Sequence, residues 1–425
     1  MQSDSGDTAA TGSRADDQKA SQADTPDYQT RIVSDLAEIE PAAWDALLAR
    51  QPEPTPFLRH AFLHALHASG SACAETGWHP RFLTLWAGDR LAAAMPLYAK
   101  AHSYGEYVFD WAWADAYARH GIEYYPKWLS AIPFTPVRGA RLIAEDPQAR
   151  RLLLKVALAL AAESGMSSLH VLFPDEAEAG LMQQAGMLMR HGVQFHWTNG
   201  GEGGGEGGSE GGSEGGSTRY ADFEDFLATL SQKKRKNIRA ERRQVAQAGI
   251  TFRHLRGSGI DDEAWRFFNR CYRQTYREHH STPYLNLDFF RRIGAAMPQH
   301  LLLVVAERAG QPIASSLLVY DDAPQVSTLY GRYWGALEYH PCLHFETAYY
   351  QPLEFCIAHG IRTFEGGAQG EHKMARGFLP VATRSAHWLA HPDFADAVER
   401  FLARERHGID AYLDELGERN PFARS

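Results

Sequence analysis

Leu301–Tyr320 reads LLLVVAERAGQPIASSLLVY. An apolar run, Leu301–Ala306, meets a polar turn, Glu307–Pro312, and a second run, Ile313–Tyr320, follows. Gly310 supplies the positive φ that a tight turn needs, so the stretch predicts a β-hairpin. Downstream, Phe345–His359 has apolar residues at helical spacing and Ile361–Phe364 reads as a short buried strand. Hairpin, further strand, helix, strand is the order of a mixed α/β sheet. The plan recurs upstream. Phe82–Trp86, the turn Ala87–Arg90 and Leu91–Tyr98 make a hairpin, Arg150–Ser164 a helix and Ser168–Phe173 a strand. Two copies of one supersecondary plan is the economical inference.

Between the copies lies Gly200–Ser217, GGEGGGEGGSEGGSEGGS, which has nothing to bury and predicts a flexible, solvated tether. The chain then divides into a polar tail (1–27), a first half (28–199), the tether (200–217) and a second half (218–425). At 425 residues, with 44% hydrophobic and 12% aromatic content, there is material for two cores. A net charge of −9 argues against a general nucleic-acid coat but leaves room for a local basic patch. Cys73, Cys271, Cys342 and Cys356 share no ligand-like spacing, which fits scattered reduced thiols better than a disulfide frame or a zinc site. The N-terminal stretch has no apolar core of a signal peptide, and no run approaches a membrane span. A cytoplasmic location is expected.

Three blocks carry candidate chemistry. Gln232–Arg243, QKKRKNIRAERR, predicts a basic helix ending at Gly249. Arg235, Arg239 and Arg242 share one face and would track phosphates together, or the helix is simply a solvated face. Ser327–Glu346, STLYGRYWGALEYHPCLHFE, predicts a strand ending at Tyr330-Gly331-Arg332, a loop, and a helix from Leu343. A helix start after a strand suits a polar ligand, because free N–H groups point outward there. Glu346 and His344 fall in its first turn, as a base for an attacking amine or as favourable partners of the helix dipole. Phe364–Pro380, FEGGAQGEHKMARGFLP, places Gly366 and Gly367 directly after a strand, with Glu365, His372, Lys373 and Arg376 around them. It is neither a Walker loop nor a Rossmann fingerprint. Outside the glycine-rich tract no GxSxG elbow occurs, and HExxH is absent, so hydrolase and metal readings are not favoured. His279 and His280 read as surface or substrate-contact residues. The aromatic-rich Tyr104–Trp128 predicts either a core wall or a groove lining.

These blocks, with Ser130–Leu142 (SAIPFTPVRGARL), Ser281–Phe290 (STPYLNLDFF) and Leu343–Ile357 (LHFETAYYQPLEFCI), resemble the FemAB-like branch of the GNAT superfamily, named for peptidoglycan biosynthesis or recognition. The resemblance implies tandem GNAT (acyl-CoA N-acyltransferase) folds. It further implies transfer of an acyl or aminoacyl group to an amine, with a cell-wall precursor peptide as a candidate acceptor. Acyl-CoA and aminoacyl-tRNA are the donors it offers, with tRNA contact through helix 233–243. The sequence shows neither the coiled-coil arm of some Fem enzymes nor a clear R/QxxGxG/A pyrophosphate loop. Within this scheme Glu346, His344 and Glu365 are candidate proton acceptors and Tyr330 a candidate acid. Arg332, Gly366, Gly367, His372, Lys373 and Arg376 join the three helix arginines as substrate contacts. A small-molecule acetyltransferase and a non-catalytic recognition module remain the alternatives, and the C-terminal copy is the one expected to be active.

Overall fold

The computed structural model describes residues 27–200, 219–323, 326–367 and 370–423. The N-terminal tail before Asp27 and the glycine-rich tract after Gly200 lie outside the described residues. In chain order the strands are β1 (Tyr28–Val33), β2 (Trp78–Pro80), β3 (Phe82–Ala87), β4 (Arg90–Met95), β5 (Leu97–Lys100), β6 (Lys127–Ser130), β7 (Ile143–Ala144) and β8 (Ser168–Leu172). They continue with β9 (Leu188–Thr198), β10 (Ile250–Arg256), β11 (Leu301–Arg308), β12 (Gln311–Ala323), β13 (Val326–Ala336), β14 (Thr363–Glu365) and β15 (Leu379–Leu389).

Four of them, in the order β1-β3-β4-β7, make a small antiparallel sheet. The other eleven form one continuous sheet, β10-β11-β12-β13-β14-β9-β15-β8-β6-β5-β2. Both expected hairpins are present, as β3–β4 and β11–β12. The second apolar run of the first hairpin is split, however. Pro96 cannot donate to a ladder, and there the chain leaves the small sheet and enters the large one as β5.

Each half contains one parallel pair joined through a helix. β6 pairs with β8 through helix Pro147–Glu163, and β13 with β14 through helix 343–359. The repeated plan is therefore real. The halves also exchange their last strands: β9 lies between β14 and β15, and β15 between β9 and β8. One apolar cluster draws on both halves, joining Trp44, Phe57 and Phe62 to Trp265, Phe289 and Tyr330.

The two copies differ where their parallel strands end. In the first, the chain after Ser130 folds back onto the tip of β8. Gly139 N–H donates to Phe173 O, and the fully buried Arg141 donates to the carbonyls of Leu172, Val137, Gly139 and Ala140. Glu178 accepts the N–H groups of Arg141 and Leu142 at 2.7 and 2.8 Å. Its own segment plugs the first copy. The aromatic stretch 104–128 divides between the two roles expected of it. Trp113, Tyr117 and Tyr124 are core, packed on Leu389, Val398 and Leu402, while Tyr107 lines the cavity of the second copy. No helix among the described residues is long and apolar enough to cross a membrane.

Candidate functional site

β13 and β14 run in register for three pairs, the last being Tyr330–Glu365, and then part. β13 continues to Ala336, while the chain after Glu365 turns off through Gly366 and Gly367. A cavity of about 500 Å³ fills the gap. Helix Asp262–Glu278 and the residues after it wall one side with Tyr272, Thr275, Tyr276, His279 and Ser281. His344, Ala348 and Tyr349 of helix 343–359 wall the other, and Ser316–Leu318 and Gly331–Trp334 form the floor. Past Glu365 the inner edge of β13 has no strand partner, so its backbone groups are left to whatever enters the cavity.

Local sequence explains this shape. Gly335 lets helix 262–278 lie on β13, since a Cβ there would stand 2.0 Å from Cys271 O. A β-bulge sits next to it: Leu317 faces Tyr333 and Leu318 faces Gly331, leaving Arg332 with no residue opposite. The extra residue turns Arg332 and Tyr333 toward the same face, Arg332 over the Phe57 ring and Tyr333 against Tyr272. Helix 343–359 begins after Cys342 at φ 63° and contains a π turn, Glu346–Tyr350, beside the cavity. Such turns recur at functional sites because they rotate the side chains that follow.

The cavity gathers His344, Arg332 and Gly366 from the expected residues. Glu365 ends β14 immediately before Gly366, and its carboxyl group makes no hydrogen bond among the described residues. Its nearest charged-type partner is His196 Nε2, 4.0 Å away. Burial pushes the Glu365 carboxyl up to about 8, with Arg138 and Arg332 pulling against it and Glu53 adding to the rise. Burial likewise holds His344 down to about 4, helped by His372, Arg376 and Lys373, so its ring is neutral at pH 7.

The remaining expectations need correction. Glu346 does not face this cavity; it is buried against the basic helix Gln232–Gln247. There its carboxylate takes Arg242 Nε at 3.2 Å, Arg242 Nη2 at 3.0 Å and Gln351 Nε2 at 2.8 Å. The three arginines do not form a free phosphate track. Arg235 donates to Ala228 O, Arg239 pairs with Glu224, and Arg242 holds Glu346 and Glu354. Tyr330 is sealed in the shared core against Phe57, its hydroxyl pushed far up by burial. Lys373 is buried, donates to Gly367 O at 2.9 Å, and burial lowers it to about 8. Arg376 lies 3.4 Å from the Phe345 ring centroid and pairs with Glu241, with His372 O accepting a further bond. Lys373 and Arg376 hold the turn rather than line the cavity. Gly366 serves packing as well, since a Cβ there would meet the Phe378 ring at 2.9 Å. His372 reaches the Tyr349 hydroxyl at 3.3 Å from an exposed position.

A family model described as FemAB-like, peptidoglycan biosynthesis/recognition, matches residues 35–424. The chain belongs to the FemAB-like family. Its mixed α/β architecture is the fold of FemX. The crystal structure of FemX is similar at a TM-score of 0.50 and 11% identity, over 87% of this chain and 100% of that one. L-PGS from Bacillus licheniformis gives 0.48 and 12%, over 85% and 97%. A tandem GNAT protein from the clavulanic acid biosynthesis pathway gives 0.44 and 11%, over 86% and 99%. No curated protein matches the chain significantly.

Within this FemAB-like chain, the sequence reading missed Tyr272, Tyr276, Ser316, Tyr333 and Trp334 as cavity residues. Tyr272 and Tyr276 stand at i, i+4 on an amphipathic helix, a pattern that identifies a buried face but not what it is buried against. His279, one turn further on, is an exposed residue that also lines the cavity.

Proposed function

We propose that this FemAB-like chain transfers an acyl or aminoacyl group to an amine, with the gap between β13 and β14 as the reaction centre and a cell-wall precursor peptide as the acceptor class. The observation that carries the reading is the cavity itself. It lies where two parallel strands part, and its floor includes backbone without a strand partner. Family membership supports the peptidoglycan context.

The chemistry needs few parts. The amine nitrogen attacks the carbonyl carbon, the carbonyl oxygen gains negative charge, the amine loses a proton, and the leaving group departs with the electron pair of the broken bond. Backbone N–H groups of β13 beyond Tyr330 are suited to the oxyanion. An ordinary amine titrates near 10 and arrives protonated, so a base is required. Glu365 is our assignment: a carboxylate titrating near 8 is far more basic than an ordinary one and still half ionised at that pH. His344, neutral and facing the cavity, is placed to accept a hydrogen bond from the incoming amine. The exposed Lys233, Lys236 and Arg243 are available to the phosphates of a CoA thioester or an aminoacyl-tRNA.

The test is mass spectrometry of amine-bearing muropeptides incubated with the protein and either a CoA thioester panel or charged tRNA. One donor is expected to give a product heavier by its acyl group, with the rate rising toward pH 8. Glu365→Gln is expected to lower that rate on the order of a hundredfold. No product from any donor, or full turnover by Glu365→Gln, overturns the assignment.

A further inference from the structure

The cavity walls carry charge of one sign. Among the described lining residues Arg332 is the cation, His279 and His344 contribute imidazoles, and there is no carboxylate. Arg332 is held rigidly: Nη2 donates to Phe134 O at 2.8 Å, and the guanidinium lies 5.5 Å from the Phe57 ring centroid and 5.4 Å from that of Tyr333. Its Nε–H is buried with no partner, and no described acceptor takes Nη1. Glu365 acts on it through space but bonds to none of its nitrogens. Arginine has five N–H donors and no acceptor, so these idle groups call for an oxygen, and an anionic one fits best. Ser316, also buried on the floor, has an unpartnered hydroxyl. Tyr107, Tyr272, Tyr276 and Tyr333 line the same cavity, and their rings suit an apolar or aromatic body. A second ammonium group would instead find Arg332 and no counter-charge.

We propose that Arg332 sets specificity by docking a carboxylate, and that the cavity's ligand is a carboxylate with an apolar or aromatic body packed among the four tyrosines. This rests on reading the cavity as the acyl-transfer site and names a chemical requirement that reading leaves open. A site volume of about 500 Å³ suits a ligand of this kind.

Isothermal calorimetry on the full chain, with the dipeptide alanyl-phenylalanine and its C-terminal amide as probes, tests it without any acyl donor. The free acid is expected to bind at least about tenfold more tightly than the amide. Arg332→Gln is expected to erase that preference, and Arg332→Lys to keep part of it. Equal binding of acid and amide by the unaltered protein needs no variant to fold and overturns the proposal. So does a preference that survives Arg332→Gln, or no binding of either probe at millimolar concentration. The two readings fail separately. Carboxylate preference without consumption of any donor leaves this inference standing and removes the transferase. Equal transfer to amidated and free-acid acceptors does the reverse.

Discussion

Glu346 and Glu365 both lie well inside the fold, but Glu346 touches a cation and Glu365 does not. Glu346 accepts hydrogen bonds from Arg242 and Gln351, and a buried pair is expensive to break from one side. Glu365 has no cation within ion-pair distance among the described residues, and the neutral His196 ring stands 4.0 Å away, so folding keeps its proton on. The linkage follows. Between the unfolded value near 4.5 and the folded value near 8, the unfolded chain has released a proton that the folded chain retains. Glu365 therefore subtracts stability progressively as pH rises through that window, and its contribution is level above it. Urea unfolding from pH 5 to 9 should show Glu365→Gln gaining on the parent across the window, by on the order of a few kcal/mol at pH 8. Arg242→Met, which leaves Glu346 buried with Gln351 alone, should lose about 3 kcal/mol. The opposite ranking would mean that the two glutamates have been assigned the wrong roles.

Among the elements, helix 262–278 and β13 set the width of the cavity. Their contact depends on Gly335, and Thr275 Oγ1 ties it further by donating to Trp334 O at 2.8 Å. A methyl group at 335 meets backbone, which cannot rotate aside as a side chain would. Gly335→Ala should therefore cost about 3 kcal/mol in chemical denaturation and shift Tyr272 and Tyr276, with ligand affinity falling alongside stability. Unchanged stability would show that the helix has freedom that the packing does not suggest. This level is also where sequence reading reached and where it stopped. The 301–320 hairpin was legible because both strands and their turn are local and Gly310 marks the turn. Glu346 was legible as a residue near a helix start but not as one facing the basic helix. The π turn at 346–350 changes the phase on which a helical wheel depends, and a wheel never identifies the neighbour. Arg332 was singled out beside Gly331, yet the bulge that aims it depends on the β12 register, which alternation alone leaves free.

At the scale of the whole molecule, the two units share one sheet. β14 has three residues and lies between β13 and β9, so the edge of the second copy is completed by a strand from the other half. β15 returns the exchange by pairing with β8 of the first half, and Phe364 and Trp197 face each other across the β14–β9 seam. Neither half can close its sheet alone, since an unpaired internal edge and an uncovered apolar face would remain. The connection between Gly200 and Arg219 carries little of this, because its composition offers nothing to bury. A protease cut within 201–218 should leave both fragments associated on native mass spectrometry, with one cooperative unfolding transition. Residues 219–425 expressed alone should be insoluble or lack a cooperative transition, and co-expression with residues 1–200 should restore both solubility and ligand binding. Separate, stable folding of 219–425 with a competent cavity would show that strand exchange is not what holds the gap between β13 and β14 open.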